Sequence, residues 1–217
     1  MRRRDDAIET TQKTYDRIAA GYSTRIDELT GGSWIGEFER GLLDRFMAMV
    51  GRPGAIILDI GCGSGRDTQY LREKGAVILG VDISRGMLRE ARRRLGEGIL
   101  AQMDMRSPGL AGGVFDGVWA NGCIYHVPKG EVAGVLEEVR RVLKARGVFS
   151  FNFKAGRGEG LEDNPRSYGG GARFFAYYTL REMKGYLERA GLEVAEVTRY
   201  PEKILGERIV QVTVRKG

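Results

Sequence analysis

Residues 57–84 read ILDIGCGSGRDTQYLREKGAVILGVDIS. An apolar run carries an acid, Asp59, near its end. Three glycines then fall within five positions, at Gly61, Gly63 and Gly65. A polar segment follows that has helical character and stops at Gly75. A second apolar run ends on a second acid, Asp82. Short apolar runs joined through a helix read as a βαβ unit, whose two strands lie parallel in a buried sheet. Glycines at the first strand-to-helix turn permit positive φ and let another group approach the main chain.

The same rhythm continues outward. Strands are expected at 55–60, 76–81, 98–102, 115–120 and 147–153, and helices at 66–74, 85–95 and 129–144. Upstream, apolar spacing predicts helices at 6–20 and 34–50, the second stopped by Gly51 and Pro53–Gly54. Downstream, a helix at 179–190 closes at Gly191. Two strands at 192–200 and 207–214, joined by a turn over 201–206, suggest an antiparallel hairpin. Residues 155–172 hold six glycines and no periodicity, and read as a long loop. The fold class is therefore α/β: a Rossmann-like, doubly wound, mostly parallel sheet with an antiparallel C-terminal hairpin. Its 217 residues are expected to form a single domain, 1–217.

Composition narrows the function without choosing it. The chain is 42% hydrophobic and 29% charged, as a globular protein should be, and no apolar run approaches the ~20 residues needed to span a bilayer. The basic start, MRRRDDAIETTQ, has no apolar segment behind it and is not a secretory signal. Cys62 and Cys123 stand apart with no metal-ligand spacing, so no metal is expected and a cytoplasmic setting is. The net charge of +6 leaves RNA open as a partner; nothing points to DNA or a membrane.

In a doubly wound sheet, ligands sit beyond the carboxyl ends of the strands, where residues 59–65 lie. A dinucleotide site needs a third small residue at the sixth position of G-x-G-x-x-G, and here that position is Arg66. Asp59 on the floor would repel a pyrophosphate and suits a cation. Asp82 is placed to accept hydrogen bonds from a ribose. The combination asks for a positively charged nucleoside without phosphate, a description that S-adenosylmethionine meets.

At this point the residues resemble a family. ILDIGCGSG is similar to the first motif of class I S-adenosylmethionine-dependent methyltransferases of the small-molecule type, and VDIS to their acidic ribose motif. AQMDMRS (101–107), FDGVWANGCIYHVP (115–128) and LKARGVFSFNFK (143–154) resemble the segments that follow. YDRIAAGYSTRID (15–27) is similar to the helical cap of many members, and residues 173–197 to their late helix and sixth strand. LKARGV departs from the usual Pro-Gly before the fifth strand. The resemblance implies a seven-stranded sheet with the last strand inserted antiparallel, a cap within residues 1–51 and a substrate-side loop at 155–178.

It also implies roles. Gly61 and Gly63 serve the methionine moiety and Asp59 its ammonium. Asp82 takes the ribose and Ile83 the adenine face. Asp104 and Met105 meet the adenine edge, Asn121 the methionine end, and Tyr22 closes over the cofactor. His126, the sole histidine, is the candidate base, because imidazole titrates near neutrality. Tyr15, Tyr125, Arg173 and Tyr177 are candidates for the acceptor side, with Lys154, Phe175 and Tyr178 nearby in sequence terms. The expected activity is methyl transfer by in-line displacement to an O or N atom of a small molecule. RNA modification and non-catalytic cofactor binding are the alternatives. The nucleobase-amine signature Asn-Pro-Pro-Tyr is replaced here by Asn121-Gly122-Cys123-Ile124.

Overall fold

A computed structural model describes residues 2–29, 36–163, 170–200 and 208–217. In chain order the elements are α1 (Arg2–Leu29), α2 (Glu37–Val50), β1 (Ile56–Ile60), α3 (Arg66–Glu73), β2 (Val77–Asp82), α4 (Arg85–Leu95), β3 (Ile99–Gln102) and β4 (Phe115–Ala120). They continue with α5 (Val132–Val142), β5 (Leu143–Ala155), β6 (Glu159–Asp163), β7 (Ala172–Tyr178), α6 (Leu180–Arg189), β8 (Leu192–Arg199) and β9 (Ile209–Lys216).

Strand pairing runs β3-β2-β1-β4-β5 in parallel, and β9 joins β5 antiparallel, with β8 outside it. That makes the expected seven-stranded sheet, and the antiparallel strand is inserted between β5 and β8. The reversal of strand order lies between β1 and β4, the place where doubly wound sheets bind ligands. Alternate residues of each central strand feed opposite faces. Leu58, Ile60, Val118, Ala120, Phe149, Phe151 and Phe153 pack with α5 and α6. Ile57, Trp119 and Val148 pack against α2 and α3 through Leu42, Leu43, Phe46 and Leu71. Both faces are apolar because both are covered, as a parallel sheet requires.

Local signals account for the helix ends. Ser84 caps α4 by accepting from the Met87 N–H, and Thr179 with Glu182 forms a reciprocal capping box at α6. Among the described residues, no helix is long and apolar enough to cross a membrane.

Three features differ from the sequence reading. α1 is longer than 6–20 and begins at Arg2. Of the first 51 residues, α1 lies against α4 and β7, whereas α2 packs beneath the sheet and is part of its core. The stretch expected as a loop contains β6 and β7, an antiparallel ribbon whose strand pairing with the main sheet, among the described residues, is that of Lys154 and Ala155 with Tyr177 and Tyr178. β6 (EGLED) is largely exposed and polar, so it leaves no alternating pattern to read. The expected turn at 201–206 lies outside the described residues.

The departure LKARGV has a structural counterpart. Helix α5 stops at Val142, and β5 starts at once with Leu143 opposite Phe115. The register then shifts so that Gly117 faces Val148. Arg146 absorbs the bulge at φ 60°, the one positive-φ non-glycine among the described residues. A left-handed L-residue costs about 1–2 kcal/mol. Arg146→Gly is therefore expected to raise stability by up to about 1 kcal/mol after glycine's entropic cost, read as a higher denaturant midpoint.

Candidate active site

One cavity opens at the carboxyl ends of β1, β2 and β4, roofed by α1. The roof is held by polar contacts that no apolar pattern announces. The Asp16 carboxylate accepts from the Ser84 hydroxyl at 2.7 Å and from the Gly86 N–H at 2.7 Å. A β-carbon at Gly86 would come within 2.7 Å of the Asp16 backbone, so the small residue is needed for that approach. Arg94 of α4 grips both oxygens of Asp27 at 2.9 and 2.8 Å, and its Nε donates to the Ser64 carbonyl in the glycine turn. On the ribbon side, Thr11 accepts from the Phe174 N–H and Thr14 donates to the Ala172 carbonyl.

The glycine turn is shaped by two different constraints. At Gly61 (φ 65°) a β-carbon would lie 2.4 Å from the Cys123 side chain, so the turn packs against protein there. At Gly63 (φ 54°) nothing lies within 4 Å, and its main chain is the part open to a ligand. The Asp82 carboxylate ties this turn to the next one: one oxygen accepts from the Gly63 N–H at 2.9 Å, the other from the Ser84 N–H at 2.8 Å. Burial pushes Asp82 up to about 6, against the pull of those backbone donors. Asp59 is also buried and receives the Thr68 hydroxyl at 2.5 Å; burial and the neighbouring Asp67 carboxylate hold it well above the usual range.

Sequence reasoning missed Asp67. Its carboxylate accepts from the Trp119 indole at 2.8 Å and from the Asn121 amide at 2.9 Å, while Arg66 pairs with its other oxygen. Asn152 in turn donates to Asn121 and accepts from the Gly122 N–H. Asn121 is thus oriented by a chain of buried partners. The available signal was position: Asp67 is the second residue of a helix that begins directly after the glycine turn. Arg106 was missed in the same way. Its guanidinium holds both oxygens of Asp104 and also bridges to Glu131.

The structure brings most of the predicted residues together. Asp59, Gly61, Gly63, Asp82, Ile83, Asp104, Met105, Asn121, Tyr15, Tyr22 and His126 all line the one cavity. Tyr125 and Arg173 stand at its edge, in contact with His126 and Tyr15 respectively. Tyr177 is not among the lining residues; its hydroxyl donates to Glu162 within the ribbon. Tyr178 points into the core beside Phe153.

His126 sits in a directional hydrogen-bond chain. Its Nδ1 is 2.6 Å from the Phe174 carbonyl, which can only accept, so the ring proton is on Nδ1. Nε2, 2.9 Å away, then accepts from the Tyr15 hydroxyl. The Arg173 guanidinium lies 5.7 Å from the Tyr15 ring centre. Burial, with help from the Arg173 and Lys154 cations, lowers His126 to about 3. Burial likewise raises Tyr15 and Tyr22. The thiols of Cys62 and Cys123 are pushed well up by burial and nearby carboxylates, which makes them unreactive.

A cavity with carboxylates at the ends of neighbouring parallel strands, an open glycine main chain and a helical roof defines a nucleoside-binding Rossmann-like domain. Comparison with known proteins names it more closely. Residues 58–151 match the family model described as a methyltransferase domain, and they form a methyltransferase domain of the class I S-adenosylmethionine-dependent type. The chain is 31% identical over 176 residues to a malonyl-[acyl-carrier protein] O-methyltransferase of Geobacter sulfurreducens, covering 73% of this chain and 64% of that one. It is 34% identical over 162 residues to a demethylmenaquinone methyltransferase of Symbiobacterium thermophilum, covering 67% and 59%. The chain spans 45%, 40% and 64% of the first three curated relatives. Among solved structures, the 1,6-didemethyltoxoflavin-N1-methyltransferase of Burkholderia thailandensis superposes with a TM-score of 0.67 at 23% identity, over 94% of this chain and 90% of that one.

Because Asp67 satisfies a buried indole and a buried amide, removing it leaves both donors without an acceptor. Asp67→Ala is expected to destabilise the fold by about 1–3 kcal/mol, measured by urea unfolding.

Proposed function

We propose that this protein transfers a methyl group from S-adenosylmethionine to a small-molecule acceptor. The observation that carries the reading is the charge of the cavity floor. Asp59, Asp67 and Asp82 line the cavity around the Gly63 turn and outnumber Arg66, which pairs with Asp67, a setting that opposes a pyrophosphate and attracts a cation. Each Asp82 oxygen has one backbone donor and keeps a lone pair for a ribose hydroxyl. Ile83, Met103 and Met105 offer apolar surface for a base, and Asp104, immobilised by Arg106, an acceptor for its amino group. Asp59 suits the ammonium and Asn121 the methionine end.

When bound, the sulfonium supplies a methyl group already activated for in-line displacement. The chain's task is then orientation and exclusion of water, which can be worth up to ~7–11 kcal/mol of barrier. Tyr15 and Tyr22 meet edge to face across the roof, their centroids 5.9 Å apart, and close the cavity above the glycine turn. His126 holds Tyr15 in place through Nε2, so its role in this reading is to position the phenol, not to take a proton.

The acceptors named for these proteins diverge: one is malonyl-[acyl-carrier protein], another demethylmenaquinone, a third 1,6-didemethyltoxoflavin. An enclosed site lined by aromatic rings favours a small acceptor over RNA, despite the net charge of +6. Two buried free thiols support a reducing, cytoplasmic setting.

Labelled S-adenosylmethionine incubated with the protein and a metabolite extract should yield labelled product; no transfer to any fraction would overturn the reading. Asp82→Asn should weaken S-adenosylhomocysteine binding at least about tenfold by calorimetry, since charged hydrogen bonds to the ribose are lost. Ribose binding prefers the ionised carboxylate, and Asp82 protonates near 6. Affinity should therefore fall as pH drops, by up to about tenfold between pH 7.5 and 5. In Asp82→Asn this step should shrink.

A further inference from the structure

Two cations are buried at the acceptor side of the cavity, where the sheet meets the β6–β7 ribbon. Lys154, near the end of β5, is 7% exposed, and Arg173, on β7, is 2% exposed. The Lys154 ammonium lies 3.9 Å from the Phe175 ring centre and 5.4 Å from that of Tyr125. The Arg173 guanidinium lies 5.7 Å from the ring centres of both Phe175 and Tyr15. Tyr125 and Phe175 stack with centroids 6.0 Å apart. This cluster adjoins the cavity: Tyr15 and His126 belong to both, and the Tyr125 hydroxyl reaches to within 3.4 Å of where a Gly122 β-carbon would stand.

We propose that this cluster is the acceptor subsite and that it takes a carboxylate attached to an apolar body, the carboxylate between Arg173 and Lys154 and the body against Tyr125 and Phe175. The proposal rests on the methyltransferase reading and names its substrate class.

Three arguments converge. First, the site is electrically polarised. At the nucleoside end Asp59, Asp67 and Asp82 outnumber Arg66, which is paired with Asp67, and two cations stand at the other end, so an anionic acceptor is repelled from one end and drawn to the other. Second, the Lys154 ammonium and the Arg173 guanidinium both lie beside the Phe175 ring, so one acceptor group seated there can meet both cations. A guanidinium fork matches a carboxylate in a planar, bidentate way, and the rings supply matching apolar surface. Third, the Tyr15–His126–Phe174 chain occupies the Nε2 lone pair of His126, so no imidazole is free to remove a proton. A carboxylate has none to lose. If one of its oxygens is the nucleophile, a C–O bond forms to the methyl carbon as the C–S bond breaks. The electron pair goes to sulfur, an anion and a sulfonium become an ester and a thioether, and no proton moves.

The test uses the full chain saturated with S-adenosylhomocysteine and calorimetric titration of phenylacetate, phenylacetamide and phenyl phosphate. Phenylacetate should bind at least about tenfold more tightly than the amide and more tightly than the phosphate. Arg173→Gln and, separately, Lys154→Met should each weaken it about tenfold or more, with S-adenosylhomocysteine affinity within about twofold of the parent. That unchanged affinity also shows that each variant is folded, and Arg173→Lys should recover part of the loss. Equal binding of acid and amide, no binding of either, a preference for the phosphate, or variants that bind phenylacetate as the parent does would each overturn the proposal. So would a labelled product from the extract that is stable to alkali, since a methyl ester releases methanol. Failure of the chain to bind S-adenosylhomocysteine at all would instead overturn the methyltransferase reading, and this proposal with it.

Discussion

The Asp82 carboxylate, shared between the Gly63 and Ser84 amides, is the contact on which the site is built. It locks together the strand-to-helix turns that follow β1 and β2, beside the point between β1 and β4 where the strand order reverses. Ser84 caps α4 with its side chain and also donates to Asp16, so the roof helix is seated on the same turn. A single buried acid thus sets the spacing of the glycine turn, the start of α4 and the position of α1. Burying a carboxylate is costly unless it is hydrogen-bonded. Here two backbone donors meet that cost, and the acid retains capacity for a ligand.

The neighbouring acids follow the same logic at one remove. Asp59 is held by Thr68, and Asp67 by Trp119, Asn121 and Arg66. Burial first, and then the neighbouring Asp67 and Asp82 carboxylates, raises the pKa of Asp59, and the three acids leave the floor of the cavity ready for positive charge. The opposite end, with Lys154 and Arg173, is ready for negative charge. The His126 chain lies between them and carries no net charge, since burial keeps the imidazole neutral. The site is therefore graded in potential along its length, and that gradient orients what binds.

Much of this was legible in the residues. Alternation of strand and helix follows from hydrophobic period, and the glycine turn and the acids at strand ends follow from local spacing. Those signals are short-range, so they survive in a one-dimensional reading. The β6–β7 ribbon did not, because β6 is exposed on most of its length and carries no apolar pattern. Asp67 looked like any first-turn helix acid, and only folding brings Trp119 and Asn121 to it across more than fifty residues. The glycines were also read too uniformly: Gly63 faces open space, whereas Gly61 is small because Cys123 packs on it.

By itself the sequence determined the alternation of strands and helices, the family resemblance of the domain and the acids at the strand ends, because each is written in periodicity or in a contiguous motif. Tertiary structure alone decided which way the imidazole of His126 donates, how α1 is latched and where Lys154 and Arg173 meet. Those features depend on hydrogen bonds and charges between residues from 19 to 163 positions apart in the chain. Such pairings have no local signature, since what selects them is the shared cost of burying polar groups once the chain has folded.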